Sequence, residues 1–263
     1  MGSFYFTIVH SLSPYLSTDT LNCIMICFLL AASAKSAQLG LHTWLLFAMS
    51  APTPVSALLQ AATLVTAGVF VLLRSSPILE YAPNVLFFIL LIGGLTTVFA
   101  GLIAIVTNYL KKVIALSTMS QLGMMMIAIG LSSYNLALFH LLCHSDLFFK
   151  ALLFMSAGSV IHSFISETQD MRQYGGLTRY LAFTYVCLVI ASLSLMAIPG
   201  LTGYFIKDII IESAFGRYDL SWIVIYWLAV SSATLTLLYS NRILILTFFN
   251  VPNHTKLTYL LIS

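Results

Sequence analysis

From Pro83 to Val106 the chain reads PNVLFFILLIGGLTTVFAGLIAIV, a run without one charged side chain. A helix of that length crosses the hydrocarbon core of a bilayer, about 30 Å thick, at about 1.5 Å per residue. In lipid, every backbone N–H and C=O has to be satisfied inside the protein, which leaves little choice beyond helices. Similar runs recur along the whole length. Only 7% of the residues are charged and 60% are hydrophobic, against about 25% charged in soluble domains. The fold class is therefore an all-α, multi-pass membrane protein. The net charge of +3 bears on topology and does not point to nucleic acid.

Seven main spans are expected, at about 19–45, 54–74, 83–106, 112–131, 135–164, 181–214 and 220–249. Together they make one transmembrane bundle over 19–249, with 1–18 a loop or the end of a preceding span and 250–263 a short tail. Prolines in APTPVS (Ala51–Ser56), SSPILEYAP (Ser75–Pro83) and VPN (Val251–Asn253) mark turns between spans. Pro199–Gly200 falls inside a span, where a proline removes a backbone hydrogen bond and interrupts the helix. Lys111, Lys112, Arg172, Arg179, Arg242 and Lys256 fall on one side, Arg74 and Arg217 on the other. The excess of basic residues places the first side in the cytoplasm or mitochondrial matrix. The N-terminal MGSFYF lacks the basic region of a signal peptide, and Phe6 stands where a myristoylation signal has Ser or Thr.

Lys35, Lys150 and Lys207 cannot be assigned to loops without breaking a span. A lysine at the middle of a membrane helix costs about 2.5–3.5 kcal/mol on insertion scales, so three of them call for a function. Beside water and a second titratable group, such a side chain is a proton-relay element. The bland alternatives are snorkelling to the interface and, for Lys207 with Asp208, a local ion pair. Around Lys35 the chain is small: Ala31, Ala32, Ser33, Ala34, Ser36 and Ala37 allow close helix approach. Gly40 loosens the backbone beyond, and Ser36 and Gln38 offer hydrogen bonds. Two interrupted spans in matching positions point to a midplane transport site in an inverted-repeat protein.

The densest cluster is FHLLCHSDLFFKALLF. His140 and His144 lie four apart on one helix face, as do Asp146 and Lys150. Histidine titrates nearest neutral pH, so His140, His144 and Lys150 can form a chain through water. Two histidines and a carboxylate at this spacing are a poor metal site. His42 and His162 near span ends are read as interfacial. Cys23, Cys27, Cys143 and Cys187 show no CxxC spacing and read as apolar filler. MSQLGMMMIAIG (Met119–Gly130) reads as methionine-rich packing. No nucleophile elbow, P-loop or dinucleotide turn is present.

With these features in view, the sequence resembles the chain 5 family of antiporter-like membrane-arm subunits of respiratory complex I, the proton-translocating NADH–ubiquinone oxidoreductase. That family is related to multisubunit cation/proton antiporters. The resemblance is carried by AKSAQLGLHTWL, PTPVSALLQAATLVTAGVFVLLR, LKKVIALSTMSQLGMM, ALFHLLCHSDLFFKALLFMSAGSVIH, QDMRQYGGL and LTGYFIKD, from about Ala31 to Asp208. It implies a bundle of two inverted repeats, each with one broken helix, in the mitochondrial inner membrane, or the plasma membrane of a bacterium. It implies that Lys35 is the central lysine of the first broken helix. His140, His144 and Lys150 would belong to a central hydrophilic axis, and Lys207 and Asp208 would sit at the second broken helix near the proton exit.

NADH, flavin, iron–sulfur clusters and ubiquinone would be held elsewhere in the complex, with no cofactor or metal on this chain. The partners implied are membrane lipids and other membrane-arm subunits. Among these a separate chain would supply earlier helices, one with a glutamate facing Lys35, and a C-terminal lateral helix. Two departures stand out. Gln60 replaces a histidine, with loss of nearby loop carboxylates. HSDLFFK is two residues longer than the usual HAFFK, which turns Lys150 by about 200° on a continuous helix; Asp146 is then a candidate partner. Two alternatives follow: a structural subunit with a degraded path, or a subunit of a cation/proton antiporter or membrane-bound hydrogenase.

Overall fold

The computed structural model describes residues 5–145, 150–164, 167–216 and 220–253. Those residues form α1 (Phe6–Leu12), α2 (Thr18–Lys35), α3 (Thr43–Phe47), α4 (Thr53–Ala57), α5 (Leu64–Arg74) and α6 (Ser76–Leu79). There follow α7 (Pro83–Val106), α8 (Leu110–Gly130), α9 (Tyr134–Ser145), α10 (Lys150–His162), α11 (Ala182–Leu195), α12 (Thr202–Phe215) and α13 (Leu220–Leu244). Wider π turns extend α4 through Leu58–Ala62 and α13 through Ile245–Phe249. Five stretches among the described residues are long and apolar enough to cross a bilayer: Thr18–Lys35, Thr53–Arg74, Pro83–Val106, Leu110–Gly130 and Trp222–Phe249.

The remaining crossings are built from shorter pieces. The single span expected over 135–164 is described as two helices, α9 and α10. The span over 181–214 is split into α11 and α12, and the first span into α2 and α3. These last two interruptions have one local design. α2 ends at Lys35, Ala37 takes a left-handed φ of 51°, and the Gln38 N–H reaches back to Ser33 O at 2.9 Å. α11 ends at Leu195, Ala197 takes φ 64°, and the Ile198 N–H reaches back to Leu193 O at 3.3 Å. Both are Schellman closures, which satisfy carbonyls left over at a helix end. Three residues further on, Gly40 (φ 92°) and Gly200 (φ 89°) turn the chain back towards helix.

α8 is the axis of the bundle, buried from Leu110 to Gly130 apart from Lys112. Around it pack α5, α7, α9, α10, α12 and α13. Its closest neighbour is α7. A Cβ on Gly93 would stand 2.9 Å from Gly123 O, and one on Gly123 would stand 2.8 Å from Gly93 O. Only glycine at both positions allows the two backbones to approach this closely. In lipid, where burial of apolar surface against other helices brings little hydrophobic gain, such packing holds helices together. The outward faces carry Phe87, Phe88, Leu95, Leu102, Leu237 and Leu238, exposed and apolar as lipid requires.

Lys111, Arg172 and Arg242 gather at one end, as their grouping in the sequence requires. Lys111 Nζ donates to Ala51 O at 3.1 Å, and Asn253 Nδ2 donates to Arg172 O at 2.9 Å. The Arg172 guanidinium hydrogen-bonds Asp170 and holds its carboxyl below the usual carboxylate range. Because that value is depressed in the fold, the contact is retained on acidification until pH falls through it. Arg74 lies at the other end, over the ring of Phe6. Arg217 and Lys256 lie outside the described residues.

Arg242 closes the C-terminus of α7, donating to Thr107 O and to Asn108 Oδ1, each at 2.5 Å. A cation at this end also suits the helix dipole. Arg242→Ala is expected to destabilise the α7–α8 turn by about 1–3 kcal/mol. The measurement is a lowered thermal unfolding midpoint in detergent, with Arg242→Lys recovering only part because it cannot form the same fork.

Candidate functional site

The site is built around the middle of α8, on STMSQ (Ser117–Gln121). Ser117 and Gln121 stand seven and eleven residues along a helix of 21. At about 1.5 Å per residue this is about 10 and 16 Å from its start, near the centre of a core about 30 Å thick. Lys150, the first residue of α10, is wholly buried, and its Nζ donates to Ser117 Oγ at 2.5 Å. Ser117 Oγ in turn donates to Ile114 O at 2.6 Å. The snorkelling alternative therefore fails for Lys150: its amine is turned into the bundle.

Thr118, the next residue, turns towards α4. Its hydroxyl donates to Gln60 Oε1 at 3.0 Å, and Gln60 Nε2 lies 3.4 Å from Met49 Sδ. Gln60 is buried on the π turn after α4. Adjacent residues of α8 thus hold the side chains of Gln60 and Lys150, whose helical segments also pack against each other.

Lys207 on α12 is also buried. Its Nζ donates to Leu195 O at 2.6 Å and to Thr236 Oγ1 on α13 at 3.2 Å. Leu195 ends α11, so the ammonium lies at the negative end of a broken helix, where a cation is favoured. Gly203 makes this crossing possible, since a Cβ there would come 1.8 Å from Ser194 O. The alternative of a local ion pair between Lys207 and Asp208 is not met: no such pair forms among the described residues. Neighbours on a helix point about 100° apart, and Asp208 instead lines an open cleft with Glu212, Phe215 and Tyr226.

His140, Lys150 and Lys207 meet at one small cavity, lined also by Gln121, Ser194 and Leu195. About 20 Å³ of it is open to the centres of water molecules, and a single water needs about 10–15 Å³ by that measure. His140 is 4% exposed. Lys150 faces the cavity despite the longer spacing from His144; residues 146–149 lie outside the described residues. The side chain of His144 and all of Asp146 lie outside the described residues.

Lys35 is placed differently. It closes α2 and is exposed on the outer face of this chain, away from the cavity. The neighbouring break is nonetheless held at membrane depth. Ser36 Oγ donates to Ala32 O at 2.7 Å and accepts from Gln38 Nε2 at 3.2 Å. Gln38 Oε1 accepts from Thr96 at 2.8 Å, halfway along α7, and Trp44 Nε1 donates to Ala34 O at 2.9 Å. The small residues serve close approach, as expected: a Cβ on Gly68 of α5 would come 2.5 Å from Ala32 O.

Sequence reasoning missed the α8 contributions. The run MSQLGMMMIAIG is packing over Met124, Met125 and Met126, yet Gln121 in the same run faces the cavity. Ser117, Thr118 and Thr236 were equally unmarked. The available signal was three hydroxyls and an amide within five residues of a largely apolar helix.

A family model described as NADH:quinone oxidoreductase/Mrp antiporter, TM, matches residues 1–236. NADH-ubiquinone oxidoreductase chain 5 of Candida parapsilosis is 67% identical over 94% of this chain and 44% of its own length. The chain 5 of Yarrowia lipolytica is 63% identical over 98% of this chain and 39% of its own. The chain thus spans about two fifths of the length of the curated relatives it matches. Among solved structures, a chain in the structure of the Mrp complex from Dietzia sp. DQ12-45-1b superposes with a TM-score of 0.82 at 31% identity, covering 94% of this chain and 27% of that one.

Proposed function

The chain belongs to the NADH:quinone oxidoreductase/Mrp antiporter family of transmembrane proteins, and from that premise we propose that it carries part of a proton path in the membrane arm of respiratory complex I. The single observation that supports this most is the junction of His140, Lys150 and Lys207 on one cavity near the centre of the bundle. Three titratable groups at that depth, with room for water between them, can pass a proton across a distance no single side chain spans. Lys150 hands its proton to the cavity and takes one up again. Lys207 receives it beside the end of α11. Asp208 and Glu212, in the cleft beyond, offer carboxylates along the way out. His144 and Asp146 remain candidates for the same axis.

In this reading NADH, flavin, iron–sulfur clusters and ubiquinone belong to other subunits, and the chain contributes proton transfer without redox chemistry. The setting is the mitochondrial inner membrane. Lys35, exposed at the break of the first span, faces membrane-arm helices outside these 263 residues. Ser36 and Gln60 support the first half: Gln60 can hold water but carries no proton of its own to exchange.

The likeness to the Dietzia Mrp complex favours a second reading, as an antiporter subunit. Identities of 67% and 63% to chain 5 against 31% to the Mrp chain favour the first. The test is to purify the assembly containing this chain, identify the hydrophobic chains that accompany it by mass spectrometry, and drive it with NADH. Proton uptake abolished by inhibitors of the quinone reaction is expected. Cation-for-proton exchange without NADH and insensitive to those inhibitors would overturn the reading in favour of the second.

A further inference from the structure

Gln121 is 3% exposed, and its Nε2 meets no acceptor among the described residues. A buried amide N–H without an acceptor is costly, and native structures satisfy nearly all such groups, often with water. This one lines the cavity shared by His140, Lys150, Lys207 and the carbonyl-bearing end of α11 at Leu195. The space is right for about one water. Everything around it that is fixed as a donor comes from Gln121 and the lysines.

We propose that Gln121 holds a water molecule in this cavity and orients it for proton transfer between Lys150 and Lys207. The inference rests on the proton-path reading and adds to it a positioning residue that does not itself titrate. An amide is a donor at every pH the membrane meets. With one oxygen lone pair occupied by Gln121 Nε2–H and the other by the protonated amine, the water directs both hydrogens at the remaining acceptors. An N–H bond breaks at Lys150 and an O–H bond forms. One of the water's original O–H bonds breaks, and an N–H bond forms on the neutral amine of Lys207. The water is regenerated and one proton has moved, with no oxidant or reductant consumed. Without the amide the water can turn, and the two amines lose their common partner.

The experiment uses the assembled complex containing this chain, reconstituted in sealed vesicles and driven by NADH. Gln121→Met keeps the length and removes the N–H. It is expected to lower proton pumping about tenfold at unchanged assembly, and a density map at water-resolving resolution should lose the solvent peak beside residue 121. Unchanged pumping by Gln121→Met, where Lys150→Met stops it, overturns the inference and leaves the proton-path reading standing. So does a map of the unsubstituted complex with no solvent in the cavity, a measurement that decides even if the variant fails to assemble. Unchanged pumping by both variants removes the underlying reading as well.

Discussion

Lys150→Met is expected to abolish proton pumping in vesicles while the bundle assembles to its normal level. Lys150 is wholly enclosed, and its Nζ is held by Ser117 Oγ at 2.5 Å. No carboxylate forms an ion pair with it among the described residues. Enclosing a charge with so little compensation is expensive. Methionine fills a similar volume with a flexible apolar chain, so the exchange is neutral or mildly stabilising. Ser117 keeps its own donor satisfied by Ile114 O. A variant that is no less stable but transports no protons separates function from folding. The effect is large because the cavity loses one of its two lysines, and a gap at one link stops the whole transfer. Pumping and quinone-reductase turnover are measured together, against the amount of assembled complex on a native gel. Coupled turnover unchanged by Lys150→Met would favour a subunit that seals the membrane without conducting, the reading that Gln60 in place of a histidine suggests.

The membrane class was legible because it follows from composition and span length, which act on every residue at once. The two interruptions were legible as well: Pro199–Gly200 and the small residues around Lys35 mark places where a continuous helix cannot be held. Their common closure was not, because the left-handed residues are Ala37 and Ala197 rather than glycines. Nothing in an alanine announces a positive φ. The cavity was half legible. A lysine or histidine inside a span stands out for its cost, so His140 and Lys150 were visible as members of one chain and Lys207 apart from them. That they face each other depends on how α8, α9, α10 and α12 rotate against one another, and spacing within one helix does not fix that. The extra residues before Lys150 illustrate the point. Counted along a continuous helix they turn the amine away, yet Lys150 lines the cavity. Gln121 was hidden for a further reason: neutral amides are tolerable in a membrane helix, so no penalty flags them.

Gly203→Val is expected to lower stability by about 2–6 kcal/mol, with overpacking and a displaced ammonium each contributing about 1–3. A Cβ at this position would lie 1.8 Å from Ser194 O and 3.0 Å from Ser194 C. Both are backbone atoms in the last turn of α11, so no side chain can swing aside and the helices must separate. Lys207 lies four residues along α12, on the same face as Gly203, and moves with it. Its bonds to Leu195 O and Thr236 Oγ1 are then stretched or lost, and the ammonium is left buried with its donors unmet. The upper end of that loss reaches the lower end of the whole stability of an ordinary domain, about 5–15 kcal/mol. The readout is the thermal midpoint of the detergent-solubilised assembly. Gly216→Val serves as the control, since a Cβ there meets Glu212 O at an ordinary 3.6 Å. The two contributions can be separated by adding Lys207→Met. If the displaced ammonium carries part of the loss, the double variant will be more stable than the sum of the single effects predicts, as expected for residues that share a contact. Strict additivity would mean that the clash with Ser194 acts alone and that α12 can shift without disturbing the lysine. The close crossing of α11 and α12 would then serve packing rather than the placement of Lys207.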